Sequence, residues 1–268
     1  MATSAGDEED LPVTYASYLG LPQVLSAQRP RTDEHDELLF IVVHQVYELW
    51  FKQLLHELAR LQHRLGEGDT SHALHTLRRV LTILKVAVAQ IDVLETMTPR
   101  QFTSFRERLE SSSGFQSAQF RQVEAVLGRR DRSVLEFYPA DSEERAAIAR
   151  AMAAPSLYDS FAGYLVECGY RVPPEILDRD VTAPLTPSSD MAETLIEVYR
   201  DDSGPSQVAE RLVDLDEAIQ EWRYRHVKMV ERTIGDKVGT GGSSGAGYLR
   251  ATLFQPVFPD LWQIRSRL

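Results

Sequence analysis

The sequence predicts an all-α protein, a single-domain helical bundle, on three observations. From about Leu11 onward the apolar residues recur at steps of three and four, the period of a helix that buries one face. Several of those runs are preceded by serine, threonine, aspartate or proline, which suit the free amides and preset φ of a helix start. The segment 171–190 (RVPPEILDRDVTAPLTPSSD) carries four prolines and no sustained period. The helix that follows it has a stripe too narrow to form a core alone, so it joins the same bundle rather than starting a second domain.

In chain order, residues 1–10 (MATSAGDEED) read as a disordered acidic tail, and the aromatic segment TYASYL begins at Thr14. Long helices are expected over 32–65 and 71–94, and shorter ones over 99–110, 115–128, 142–153 and 156–168. Thr98-Pro99 and Pro155-Ser156 mark two starts, and Asp141 or Ser142 with the acidic residues after it suits the positive end of a helix dipole. Helix resumes near Met191, and the last long helix covers 206–234.

Composition narrows the function. A chain of 268 residues with 43% hydrophobic content can bury a substantial core, and 29 Lys plus Arg against 40 Asp plus Glu leave a net charge of -11. That charge argues against nucleic acid or an anionic membrane surface as a partner. One cysteine, Cys168, excludes an internal disulfide and a thiolate cluster for iron–sulfur or structural zinc, and the cytoplasm is the expected compartment. The polar N-terminus lacks the pattern of a secretory signal, and no run approaches 18 uninterrupted apolar residues, so neither export nor membrane insertion is expected.

Four segments could carry chemistry. In the last long helix, Val208, Leu212, Leu215, Ile219, Trp222, Met229 and Thr233 form an apolar stripe, and His226 falls on it. An inward imidazole is either a core histidine satisfied by a hydrogen bond or an axial ligand of a cofactor held in the bundle. In the first long helix, Phe40 and His44 share a face within the apolar run LLFIVVHQVYELWF, where an uncharged histidine is favoured. Arg106 precedes the break at Ser111 to Gly114 and is either a surface residue or a two-pronged donor to a carboxylate. GTGGSSGAG at 239–247 lacks the Gly-Lys-Ser/Thr of a phosphate loop; a mobile loop offering the Thr240 hydroxyl and free amides to a ligand fits it better.

Four motifs in one order, HDELLFIVVHQVYELWFK (35–52), LETMTPRQFTSFRERLESSSGFQSAQFR (94–121), WRYRH (222–226) and GTGGSSGAGYL (239–249), resemble those of the tryptophan 2,3-dioxygenases. The resemblance runs from Thr14 to the end and makes residues 11–268 a haem-binding catalytic domain. It implies haem b, active as Fe2+, with dioxygen as co-substrate and L-tryptophan or a substituted tryptophan as substrate. His226 matches the proximal iron ligand and His44 the distal histidine facing the indole N–H. Phe40 matches the aromatic packed on the indole, Arg106 the carboxylate-binding arginine, and Thr240 the threonine beside the ammonium. Ser113 and Gly114 match the segment against the haem, where Phe102 is also placed. Tyr15, Tyr18 and Leu19 match a stretch that enters a neighbouring subunit's site, which implies an intertwined homotetramer built as a dimer of dimers. Phe102 and Phe120 stand where some bacterial members have tyrosine, so a hydroxyl near the carboxylate is missing and more of that interaction falls to Arg106. Two other activities suit the same residues: a haem monooxygenase that adds one oxygen to a substituted tryptophan, and a haem or ligand sensor without turnover.

Overall fold

The computed structural model describes residues 12–110, 114–235, 237 and 246–268, and among them there is helix, turn and loop but no strand. Thr14 and Ser17 exchange hydrogen bonds at the start of α1 (Tyr15–Tyr18), and Gly20 turns the chain into α2 (Leu21–Leu25) with φ 60°. α3 (His35–Gly66) begins three residues later than the expected Thr32. Glu37 is the cause: its carboxylate accepts the backbone N–H of Arg31 and of Thr32, both at 2.8 Å, and the Thr32 hydroxyl at 2.6 Å. Those bonds hold 31–34 outside the helix.

A turn over 67–69 reverses the chain into α4 (Thr70–Leu94), whose N-cap Asp69 accepts the His72 N–H at 3.1 Å. α5 (Pro99–Arg106) starts where proline chemistry places it, with Thr98 and Gln101 closing a capping box. It ends four residues short of the expected 110, because the chain tightens into a 3-10 turn over Glu107–Leu109 and Glu110 then takes a left-handed φ of 51°. The expected 115–128 helix is shorter at both ends: a 3-10 turn (Gly114–Gln116) precedes Ser117, which caps α6 (Ala118–Val126).

α7 (Glu143–Ala153) and α8 (Leu157–Glu167) start after Ser142 and Ser156, each accepting a backbone N–H at its N-cap. The proline-rich connection holds only the short α9 (Pro174–Leu177). Side chains fix the rest of it. Arg130 donates to the carbonyls of Val181 (2.7 Å) and Ala154 (3.0 Å), and Arg179 grips Asp159 through two bonds of 2.6 and 2.9 Å. α10 (Ser189–Asp201), α11 (Gly204–Ile234), α12 (Ala246–Arg250) and α13 (Pro259–Gln263) complete the order.

α4 is the central helix, with α3 on one side and α11 on the other; α6 and α8 cover α3, and α10 and α13 pack on α11. Its inner stripe, Ala73, Leu77, Val80, Leu84, Ala87, Ile91 and Leu94, advances by three and four and is buried throughout. Directions follow from contacts. Tyr47 on α3 donates to the Ala87 carbonyl at 2.9 Å, and Gln90 donates to the Val43 carbonyl at 2.7 Å, so α3 and α4 are antiparallel. Gly204 faces Thr70, where a Cβ would stand 2.8 Å from the threonine methyl, and Arg225 pairs with Asp92 at 2.6 Å, so α11 runs parallel to α4. The start of α3 and the ends of α4 and α11 therefore meet at one end of the bundle.

By length and apolar composition α3 would suit a membrane crossing; its stripe of Val43, Tyr47, Phe51, Leu54, Leu58, Leu61 and Leu65 is buried against neighbouring helices, while Leu38, Val42 and Leu49 on its other faces are exposed. After α12 the chain returns along α11, where the Asp216 carboxylate accepts the N–H groups of Val257 (2.7 Å) and Phe258 (3.0 Å) and the Trp262 indole N–H (2.9 Å). Asp260 accepts the Ser188 N–H at 2.8 Å and the Tyr158 hydroxyl, joining α13 to α8 and α10.

Candidate active site

The site lies at the end of the bundle that those directions define. On α3, His44 is half-buried and its Nδ1 sits 2.7 Å from the Phe40 carbonyl one turn earlier. A carbonyl only accepts, so Nδ1 carries the proton and Nε2 keeps its lone pair. Burial lowers the pKa of this ring, against the opposing pull of the Phe40 carbonyl and Glu48, and the neutral form prevails at neutral pH. The Gly114 backbone runs beside the free nitrogen, close enough that a Cβ there would lie 3.9 Å from Nε2.

Aromatic rings extend from that histidine in one direction. Phe40 lies 4.1 Å from the His44 ring centroid and 5.7 Å from both Phe102 and Phe105, which meet edge to face at 5.4 Å. Phe102 and Phe105 come from α5, so the packing that seats them on Phe40 also fixes the end of that helix, where Arg106 is half-buried. Phe102 thus belongs to the wall behind Phe40.

On α11, His226 is half-buried and Trp222, one turn earlier, stacks on it with ring centroids 5.0 Å apart and planes inclined by 29°. Trp222 in turn lies 4.5 Å from Phe120 and 6.3 Å from Phe51. Burial first, then the nearness of His44 and of the Arg121 guanidinium, depress the His226 pKa to about 4. The two imidazoles are therefore close enough to feel each other's charge, and both are neutral at pH 7. Beneath Phe120, Glu124 is ringed by Arg121 (2.6 Å), Arg129 (3.0 Å) and Arg223 (3.2 Å). Burial opposes the charge on that carboxyl, but the three guanidiniums hold its pKa below the ordinary value.

The structure thus brings together Phe40, His44, Phe102, Gly114 and His226. Ser113 and Thr240 lie outside the described residues. Tyr15 and Tyr18 are 78% and 79% exposed and Leu19 is also exposed, so none of the three is buried in the chain's own core. Sequence reasoning missed three contributors: Phe105, Arg121 and Glu124. All three lie within the quoted 94–121 motif or just beyond it, and the four-residue step from Phe120 to Glu124 would have placed the carboxylate one turn after the ring.

Among the described residues no three His, Cys, Asp or Glu side chains converge into a metal cage. One neutral imidazole backed by aromatic rings is instead what a haem requires of a protein: a single axial donor and apolar walls for the macrocycle. The residues present fit that group.

Comparison with known proteins gives the family. The family model described as Tryptophan 2,3-dioxygenase matches residues 2–151 and 155–268. A protein of Anaeromyxobacter sp. (strain K) named Tryptophan 2,3-dioxygenase is 64% identical over 256 residues, covering 96% of each chain. Proteins of the same name from Herpetosiphon aurantiacus and Caulobacter vibrioides are 57% and 46% identical over 259 residues, each covering 96% of this chain and 98% of the relative. With a family model spanning nearly all its residues, this chain belongs to the tryptophan 2,3-dioxygenase family.

Proposed function

We propose that this protein is a haem-dependent dioxygenase that cleaves the indole C2=C3 bond of L-tryptophan with dioxygen, giving N-formylkynurenine. The observation that carries the reading is the pair of neutral, half-buried imidazoles, His44 and His226, at one end of an aromatic-walled bundle. In this reading His226 holds the iron of haem b, which works in the Fe2+ form. When bound, the haem supplies the electronic route by which ground-state dioxygen reacts with a closed-shell indole.

The chain's own share is binding and orientation. His44 Nε2 accepts the indole N–H, because the Nδ1 proton is already committed to the Phe40 carbonyl. Phe40 packs on the ring plane. Burying an aromatic side chain removes roughly 150–250 Å² from water, about 4–6 kcal/mol before ordering costs. A charge-assisted hydrogen bond adds about 1.5–3 kcal/mol, so Arg106 and Thr240 select amino acids over plain indoles more than they set overall affinity. Phe102 leaves the carboxylate without a phenolic partner at its position, which gives Arg106 more of that work. In this reading Ser113 and Gly114 would lie against the haem, as their match to the family motif implies, and Gly114, lacking a Cβ, leaves the Nε2 side of His44 open.

Exposed Tyr15, Tyr18 and Leu19 support an assembly in which they complete a neighbouring subunit's site, within a homotetramer. The lone cysteine accords with the cytoplasm. The test is to reconstitute the chain with haemin, reduce it, and mix it with L-tryptophan and air. N-formylkynurenine carrying two added oxygen atoms is expected. A product with one added oxygen would turn the reading to a monooxygenase, and haem binding without turnover on any indole amino acid would turn it to a sensor.

A further inference from the structure

Two tryptophans near α11 are buried differently. The Trp262 indole N–H donates to Asp216 at 2.9 Å. Trp222 is only 9% exposed, and its Nε1 has no hydrogen-bond partner among the described residues. A buried indole N–H donates and cannot accept, and leaving it unpaired is costly, so a fold that keeps one is prepared for an acceptor that arrives later.

The surroundings say what kind of acceptor. The rings closest to Trp222 are Phe51, Phe120 and His226, none of which offers an oxygen. The Arg121 guanidinium carbon lies 6.0 Å from the centroid of the same Phe120 ring. Arg121 is itself held by Glu124 at 2.6 Å, so the donor beside the proposed axial ligand that awaits an acceptor is the Trp222 N–H, which suits a carboxylate brought in with the cofactor. The polar acceptors on a haem are its two propionate carboxylates.

We propose that the Trp222 indole N–H receives a haem propionate and so helps to seat the haem held by His226. The inference rests on the haem reading above. Trp222 is then a cofactor-anchoring residue rather than only a core aromatic.

The test compares haemin with haemin dimethyl ester, whose carboxylates are blocked, by Soret titration of the full chain and of Trp222→Phe. The parent is expected to bind haemin about ten-fold or more tightly than the ester, the worth of one charge-assisted hydrogen bond. Trp222→Phe should lose most of that preference while its affinity for the ester stays near the parent's. Equal affinity of the parent for both, or an equal loss on both in Trp222→Phe, overturns the inference. Failure of the parent to bind haemin at all overturns the proposed function as well, so the two failures are distinguishable. Should Trp222→Phe not fold, the indole resonance of Trp222 in the 15N-labelled parent decides: it shifts downfield with zinc protoporphyrin and not with its dimethyl ester. No difference between the two overturns the inference.

Discussion

The two halves of α11 carry the same stripe and treat it differently. From Val208 through Ala209, Leu212 and Leu215 to Ile219 the inner face is buried among side chains of α4 and α10, as a finished core should be. From Trp222 to Thr233 the period continues, but His226 and Thr233 are only half-buried and Trp222 holds a donor that no atom of the described residues satisfies. One helix therefore builds core with its first half and presents a surface with its second. An apolar period tells where a helix faces, and the finish of that face tells whether the fold ends there or something else is meant to fit.

The contrast can be broken from either side. The largest effect is expected from His226→Ala: no Soret band from axially bound haem and activity at baseline, with the haem-free chain melting within about 1 kcal/mol of the parent. Collapse of the fold would mean that the second half is core like the first. Leu212→Ala should do the reverse, costing about 2–5 kcal/mol in denaturant unfolding while the folded fraction binds haemin as before. Next comes Arg106→Leu, for which the KM for tryptophan should rise about ten-fold or more, the worth of a charge-assisted hydrogen bond, with little change in affinity for indole itself. An equal change for both ligands would remove Arg106 from carboxylate recognition.

A smaller effect follows from His44, which the account makes a positioning residue. His44→Ala should keep measurable turnover on tryptophan methylated at the indole nitrogen, and complete loss on both substrates with haem still bound would make it an essential base. The smallest concerns pH. Burial lowers the His44 pKa, so its neutral acceptor form persists below the ordinary histidine value of about 6.5. Tryptophan affinity should be flat from pH 8 down to about 6.5 and weaken only below that. A break near pH 7 or above, absent in His44→Ala, would contradict the lowered His44 pKa.

Much of this was legible before any coordinates. The stripes of α4 and α11 and the caps at Thr98, Ser142 and Ser156 are written in local spacing, which is why those helices start within a residue or two of expectation. What local spacing lacks is partnership across the chain. Nothing near Thr32 announces that Glu37 will take its amide, and nothing near Leu109 announces the left-handed Glu110. In the site, His44, Phe40 and His226 could be picked from their faces, but their meeting depends on α3 starting where α4 and α11 end. The Arg121–Glu124–Arg223 cluster joins α6 to α11 across about a hundred residues and is invisible to periodicity.

The measurement that reaches the central claim most directly is the iron–imidazole stretching vibration of the ferrous, haem-reconstituted protein. The account predicts that the band is present in the parent, absent in His226→Gly, and restored when free imidazole is added to that variant. A band that persists unchanged in His226→Gly would place the iron on another residue and contradict the account.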